Sequence, residues 1–215
     1  MLSYILSRFV ALALSLVVAS LVIFVMIELV PGDPASFMLG LNAAPDTVAA
    51  LRAELGLDGS PVERYLRWVS GMLQGNFGTS YTYRAPVAEL VMARLAVSLP
   101  LALMALLLST LIAIPVGLYA ASRRGGPGDW SVMGLTQLGI AIPNFWFAMI
   151  LVVIFAINLR WFSAGGFPGW DQGIWPSLKA LTLPALALAL PQASILARVM
   201  RSAVLEVLGQ DYIRT

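Results

Sequence analysis

The chain has 215 residues, 60% hydrophobic and 11% charged, with a formal net charge of +2 and a mean hydropathy of +0.87. A water-soluble domain carries about 45–50% apolar and about 25% charged residues, so this composition excludes an ordinary soluble fold, a disordered chain and a nucleic-acid binder. Cysteine and histidine are absent, which removes disulfides, thiol nucleophiles, the commonest metal ligand and the usual general base.

The first apolar run, Phe9 to Ile27, contains no charge. A helix that crosses a bilayer needs ~20 mostly apolar residues, because the hydrocarbon layer is ~30 Å thick. Every backbone N–H and C=O in that layer must be bonded internally, which predicts a helix. The short alternating segments of a membrane barrel are missing. The run ends in Glu28-Leu29-Val30-Pro31-Gly32-Asp33-Pro34 without a small-residue cleavage site, so it reads as a retained helix and not a secretory signal.

Residues 31–94 form a long loop region with helix signals of its own. Pro45-Asp46-Thr47 opens a helix with Val48, Leu51 and Leu55 on one face, closed by Gly56. Ser60-Pro61-Val62-Glu63 is a capping box with proline at the first helical position. An apolar stripe of Val62, Leu66, Val69, Met72 and Leu73 follows, beside Tyr65 and Trp68. That helix is predicted to lie along the membrane surface or to cap the bundle. Gly75-Asn76-Phe77-Gly78 ends it in a turn.

Three further spanning helices are predicted at about 95–122, 131–159 and 180–197, each free of acids and bases. Between the last two, Trp161 to Trp175 is rich in glycine and aromatics, the composition of an interfacial belt. The expected organisation is therefore a first helix within 1–30, a loop region at 31–94 and a membrane core at 95–215. The fold class is all-α, a polytopic transmembrane bundle with four spans. With the N-terminus in the cytoplasm, Arg8, Arg123, Arg124, Arg198, Arg201 and Arg214 fall in short inner segments, as the positive-inside rule requires. Val199, Val204 and Leu208 continue the last helix beyond the membrane, Gly209 suits its C-terminal stop, and Asp211 suits the N-cap of a new helix. The sequence ends inside that predicted helix, which suggests a fragment.

The only lysine, Lys179, is followed by Ala180 and preceded by no glycine-rich turn, so the chain has no P-loop for nucleotide phosphates. No G-x-S-x-G occurs, and no metal ligand set is apparent. A proton-coupled carrier keeps a costly ionisable group inside its spans; none is present here. A self-powered carrier is therefore disfavoured, with Na⁺ coupling through backbone carbonyls as the open alternative; otherwise the energy for moving a solute comes from a partner. Among the few polar residues within the spans, Gln137, Asn144 and Gln192 stand out. Each either lines a translocation path or makes an interhelical hydrogen bond, worth ~0.6 kcal/mol in membranes. Asn144 follows Pro143 and Gln192 follows Pro191, so both sit beside breaks in the backbone ladder.

The segment Leu183-Pro184-Ala185-Leu186, then Ala197-Arg198-Val199-Met200-Arg201, then Glu206 through Thr215 resembles the permease subunits of ATP-binding-cassette importers of the dipeptide/oligopeptide/nickel group. Weaker matches are Pro31-Gly32-Asp33-Pro34, Leu55-Gly56-Leu57-Asp58, Gly75 to Ser80, and Ala141-Ile142-Pro143-Asn144-Phe145-Trp146. The resemblance implies a type I importer permease fold with six spanning helices, two of them beyond Thr215. It implies a second, non-identical permease, two cytoplasmic ATPase subunits that hold ATP and magnesium, and an extracytoplasmic solute-binding protein. This chain would bind no cofactor itself and would sit in lipid in the bacterial inner membrane. Gly209, Asp211, Tyr212, Arg214 and Thr215 would begin the loop that couples to the ATPases. Asp33 is either a helix stop or an outer contact to the binding protein or a ligand amine. Di- or oligopeptides are the default substrate, with nickel complexes, glutathione or another small solute as alternatives. A stand-alone channel, an ion-coupled carrier and a membrane scaffold are the competing classes.

Overall fold

The computed structural model describes residues 1–29, 32–40 and 43–210. All regular structure among them is helical, apart from one isolated antiparallel bridge between Thr79 and Pro86. Contacts divide the chain into two compact units, Met1–Ala93 and Arg94–Thr215.

In the first unit, α1 (Leu2–Leu29) is the predicted first span, extended toward both ends. It is followed by α2 (Pro34–Leu39), α3 (Pro45–Glu54) and α4 (Pro61–Leu73). Sequence reading missed α2, because its signal is only a capping aspartate followed by a proline. The expected capping box of α4 is present, with the Ser60 hydroxyl accepting from the Glu63 amide and the Glu63 carboxylate accepting from the Ser60 amide. The expected apolar stripe divides. Val62, Leu66 and Leu73 are exposed, while Tyr65, Trp68, Val69 and Met72 are half-buried. The aromatics meet α1. Phe24 packs edge-on against Tyr65 at 5.4 Å and lies 6.4 Å from Trp68, and the Tyr65 and Ser20 hydroxyls are 2.8 Å apart. Arg64 also pairs with Glu28. Tyrosine and tryptophan fit this contact because each joins an apolar body to a polar tip.

The second unit contains most of α5 (Val87–Ser122), then α6 (Pro127–Ala141), α7 (Asn144–Leu151) and α8 (Ile174–Leu208). α7 runs on as a π-helical stretch, Val152–Asn158, and a 3-10 turn at Trp170–Gln172 precedes α8. α5 and α8 have 36 and 35 residues. At ~1.5 Å per residue each is over 50 Å long, more than the hydrocarbon layer requires. The predicted span 95–122 is the C-terminal portion of α5, and 180–197 is the middle portion of α8.

The predicted span 131–159 is not one continuous helix. It is broken at Ile142–Pro143, and its two arms, Pro127–Ala141 and Asn144–Asn158, are bent by 99°. Pro143 lacks the N–H needed to continue the ladder and disfavours helical geometry at Ile142, whose ψ of 124° is extended. Among the described residues, three helices are thus long and apolar enough to cross a membrane, or four if the bent pair counts as one span.

Small residues form the core of this unit. α8 buries Ser177, Leu181, Ala185, Ala189, Ala193 and Ala197 at four-residue spacing. α5 does the same with Ala105, Ser109, Ala113 and Gly117. Ala113, Ala193 and Ala197 meet in one cluster. A Cβ on Gly117 would lie 2.8 Å from the Ala197 carbonyl oxygen and 2.7 Å from the Met200 Cβ. Lipid tails are as apolar as leucine, so helices in a bilayer associate through close backbone approach, which small residues permit. On another face of α8, Leu183 and Ala187 pack against Leu151 and Ala156 of the α7 arm.

The aromatic loop has a defined anchor as well as its belt-like composition. The Trp170 indole N–H donates to the Ala96 carbonyl at 2.7 Å. That carbonyl would otherwise accept from residue 100 of α5, which is proline and has no N–H. Trp170 supplies the missing donor.

Candidate functional site

One end of the second unit joins three pieces of chain: the end of α5, the turn into α6 and the last third of α8. The turn is built by Gly125 at φ +73°, Gly126 as N-cap and Pro127 at the first helical position, where the missing N–H costs nothing. Asp129, in the first turn of α6, folds back so that its carboxylate accepts from the Gly125 amide at 2.9 Å. The same carboxylate receives the Arg201 fork from α8, Nε to Oδ1 and Nη2 to Oδ2, both at 2.6 Å. Asp129 is only 4% exposed. Parallel N–H···O bonds between arginine and a carboxylate fix direction as well as distance. Tyr119 of α5 closes the group, its ring lying where a side chain on Gly128 would have to go.

Nearer the middle of the helices, Arg198 donates to the Gln137 side-chain oxygen at 3.1 Å. A cavity of about 420 Å³ opens between α5, α6, α7 and α8, lined mainly by Ile112, Leu135, Ile142, Phe147, Leu190 and Ala193. Its wall is apolar apart from the Thr136 and Ser194 hydroxyls, which donate to the carbonyls of Met133 and Leu190.

The sequence-predicted residues fall in different places. Gln137 is exposed and engaged with Arg198. Asn144 is the exposed first residue of α7, directly after the Pro143 break. Gln192 is exposed on α8. None of the three lines the cavity. Gly209 ends α8, its amide reaching the Leu205 and Glu206 carbonyls. Its φ of −82° is right-handed, so it stops the helix without the left-handed turn that glycine favours. Asp211, Tyr212, Arg214 and Thr215 lie outside the described residues.

Asp33 starts a helix and does not merely stop one. It caps α2, accepting from the Ser36 amide at 3.1 Å and hydroxyl at 2.8 Å, and it pairs with Arg52 of α3 at 2.8 Å. The Ser36 hydroxyl bond is the main cause that holds this carboxyl below its ordinary range, with the Arg52 charge helping and partial burial opposing.

Sequence reading did not single out Asp129, and it used Arg201 only for orientation and as part of the Ala197–Arg201 resemblance. The available signal was the turn Gly125-Gly126-Pro127, which places an acid in the first turn of a helix; the partner, far along the chain, could come only from the fold.

Residues 113–215 match the family described as binding-protein-dependent transport system inner membrane component, and residues 1–102 match the membrane-component N-terminal family of the same systems. The chain is 41% identical over 207 residues to a putative peptide transport system permease protein of Brucella suis biovar 1, covering 95% of this chain and 65% of that protein. It is 35% identical over 212 residues to a probable peptide ABC transporter permease protein of Sinorhizobium fredii, covering 99% and 68%. To a glutathione transport system permease protein of Salmonella paratyphi A it is 34% identical over 215 residues, covering 100% and 68%. The chain thus spans about two thirds of the length of these relatives. With matches running the length of an all-helical, strongly apolar chain, it belongs to the family of binding-protein-dependent transport system inner membrane components.

Proposed function

We propose that the chain belongs to a permease subunit of an ATP-driven, binding-protein-dependent importer, and that it forms part of the translocation path without binding nucleotide. The family membership carries this reading. It is supported by the lack of a P-loop and by spans without an ionisable relay, since a passive gate must take its energy from outside. ATP does work in such an assembly only if its binding favours one permease conformation over another.

The proposed partners are a second permease subunit, two ATPase subunits with ATP and magnesium, and an extracytoplasmic solute-binding protein. The N-terminus and the segment from Gly209 to Thr215 face the cytoplasm, in keeping with the Arg123-Arg124 pair. Gly209, Asp211, Tyr212, Arg214 and Thr215 open the ATPase-docking surface. Short peptides are the proposed cargo, because the relatives' names specify peptides and glutathione. Asp33 serves the loop fold through Ser36 and Arg52, which leaves an outer contact as its lesser role.

The test is the assembled transporter in proteoliposomes with a labelled dipeptide. ATP-dependent uptake is expected, and Arg214→Glu should abolish it while ATPase activity persists. Uptake by the permease without ATPase subunits would overturn the reading in favour of a self-sufficient carrier.

A further inference from the structure

We propose that the Asp129–Arg201 pair is a positioning latch that makes the α5–α6 turn and the last third of α8 move as one body. The proposal rests on the permease reading, since it assigns a role in passing ATPase motion to the helices.

Three observations carry it. The Asp129 carboxylate is filled by two Arg201 donors and the Gly125 amide, so one side chain ties together the turn, the start of α6 and α8. Contacts in the same region remove the freedom to slide: Gly117 of α5 meets Ala197 and Met200 of α8 at van der Waals limits, and Tyr119 covers Gly128. Third, Arg201 lies two helical turns before Gly209, where α8 ends, so a displacement of that end reaches the latch through continuous helix. A buried ion pair adds little net stability compared with apolar side chains of similar size. What a bidentate fork adds is fixed geometry, and geometry is what a lever needs. Without the fork, α8 could shift at its end while α5 and α6 stay behind, and ATP would be spent without transport.

Arginine at 201 is specifically required under this proposal. Lysine keeps the charge but loses the planar fork, so Arg201→Lys should retain the pair and loosen its direction, whereas Arg201→Met should remove it.

Residues 1–215 contain no cysteine; with any cysteine elsewhere in the permease replaced by serine, spin labels at Arg123→Cys and Glu206→Cys, both exposed positions, report the distance across the latch. A narrow distribution is expected, unchanged by nucleotide. It should broaden in Arg201→Met and take an intermediate width in Arg201→Lys. In proteoliposomes of the assembled transporter, uptake per ATP hydrolysed should fall about ten-fold in Arg201→Met and less in Arg201→Lys, as for a coupling element of ordinary strength. A wild-type distance that changes with nucleotide would overturn the latch. So would Arg201→Met with wild-type uptake per ATP, or with a loss that merely tracks the amount of assembled transporter. If no ATP-driven uptake exists at all, the permease reading fails, and the label distances measured on the permease alone still decide whether the pair rigidifies this end.

Discussion

The two units of the chain are held together by different physics. In Met1–Ala93, Ala35 is the only buried residue among those described. Its order comes from directed polar and aromatic contacts: the Asp33 and Ser60 caps, the Asp33–Arg52 and Glu28–Arg64 pairs, and Phe24 against Tyr65. In Arg94–Thr215 the core is mainly alanine, serine and glycine, joined by Leu151, Leu181 and Leu183, and at Gly117 the helix backbones come near contact. Loops that meet water can rely on caps, since each end of a helix there has orphan groups to satisfy. Helices in lipid gain nothing from hiding leucine from leucine, and associate by fit.

The strongest way to break this contrast is to enlarge a glycine at a helix crossing. Gly117→Leu should reduce folded permease in membranes more than about ten-fold, because its side chain would meet the Ala197 backbone, and overpacking costs ~1–3 kcal/mol or more. Gly134→Leu, with open space around it, should leave the yield unchanged in the same quantitative blot. Equal yields would show that close packing is not what holds this unit.

The next effect concerns the single buried charge of that unit among the described residues. Asp129→Leu alone should cost about 2 kcal/mol in thermal or denaturant unfolding, below the usual figure for a buried pair because Arg201 keeps some solvent contact. The double variant Asp129→Leu/Arg201→Met should recover most of that loss, while transport coupling stays impaired. Full recovery of both would reduce the pair to packing.

Smaller again is the cap of α2. Asp33 has its folded-state value lowered, so its contribution is complete at neutral pH, above the unfolded carboxyl's titration. It is lost as pH falls through the lowered folded value. Amide exchange in α2 and α3, corrected for intrinsic rates, should accelerate on acidification, and Asp33→Asn should flatten that response at a cost of about 1 kcal/mol.

The smallest expected change sharpens the membrane unit. Trp170→Phe should cost about 0.5 kcal/mol by leaving the partly exposed Ala96 carbonyl without its donor. In a Pro100→Ala background, where the helix supplies its own N–H, the same substitution should cost measurably less. Identical costs in both backgrounds would mean that the bond has no bearing on stability.

Much of the fold was legible because its rules act over short distances. Apolar runs at least a bilayer long marked α1, α5 and α8; Ser60 to Glu63 marked the start of α4; and Pro45 with Gly56 bracketed α3. The break at Pro143 was legible as a flaw in the ladder, but its 99° bend was not, because an angle depends on what the two arms pack against. The candidate site was less legible. Gln137, Asn144 and Gln192 stood out because polar residues are rare in these runs, yet rarity says nothing of which way a side chain faces. None of them lines the apolar cavity.

That the chain lives in lipid, that it is helical and which family it resembles could be read from the residues alone, because hydropathy, helix punctuation and motif order are written along one dimension. That Asp129 meets Arg201, that Gly117 meets Ala197 and that Trp170 completes the carbonyl left open by Pro100 emerged with the packed fold. These partners are distant in the chain, and no local preference of either one selects the other. They find each other when helices pack closely enough for unsatisfied groups and small side chains to be matched across the gap.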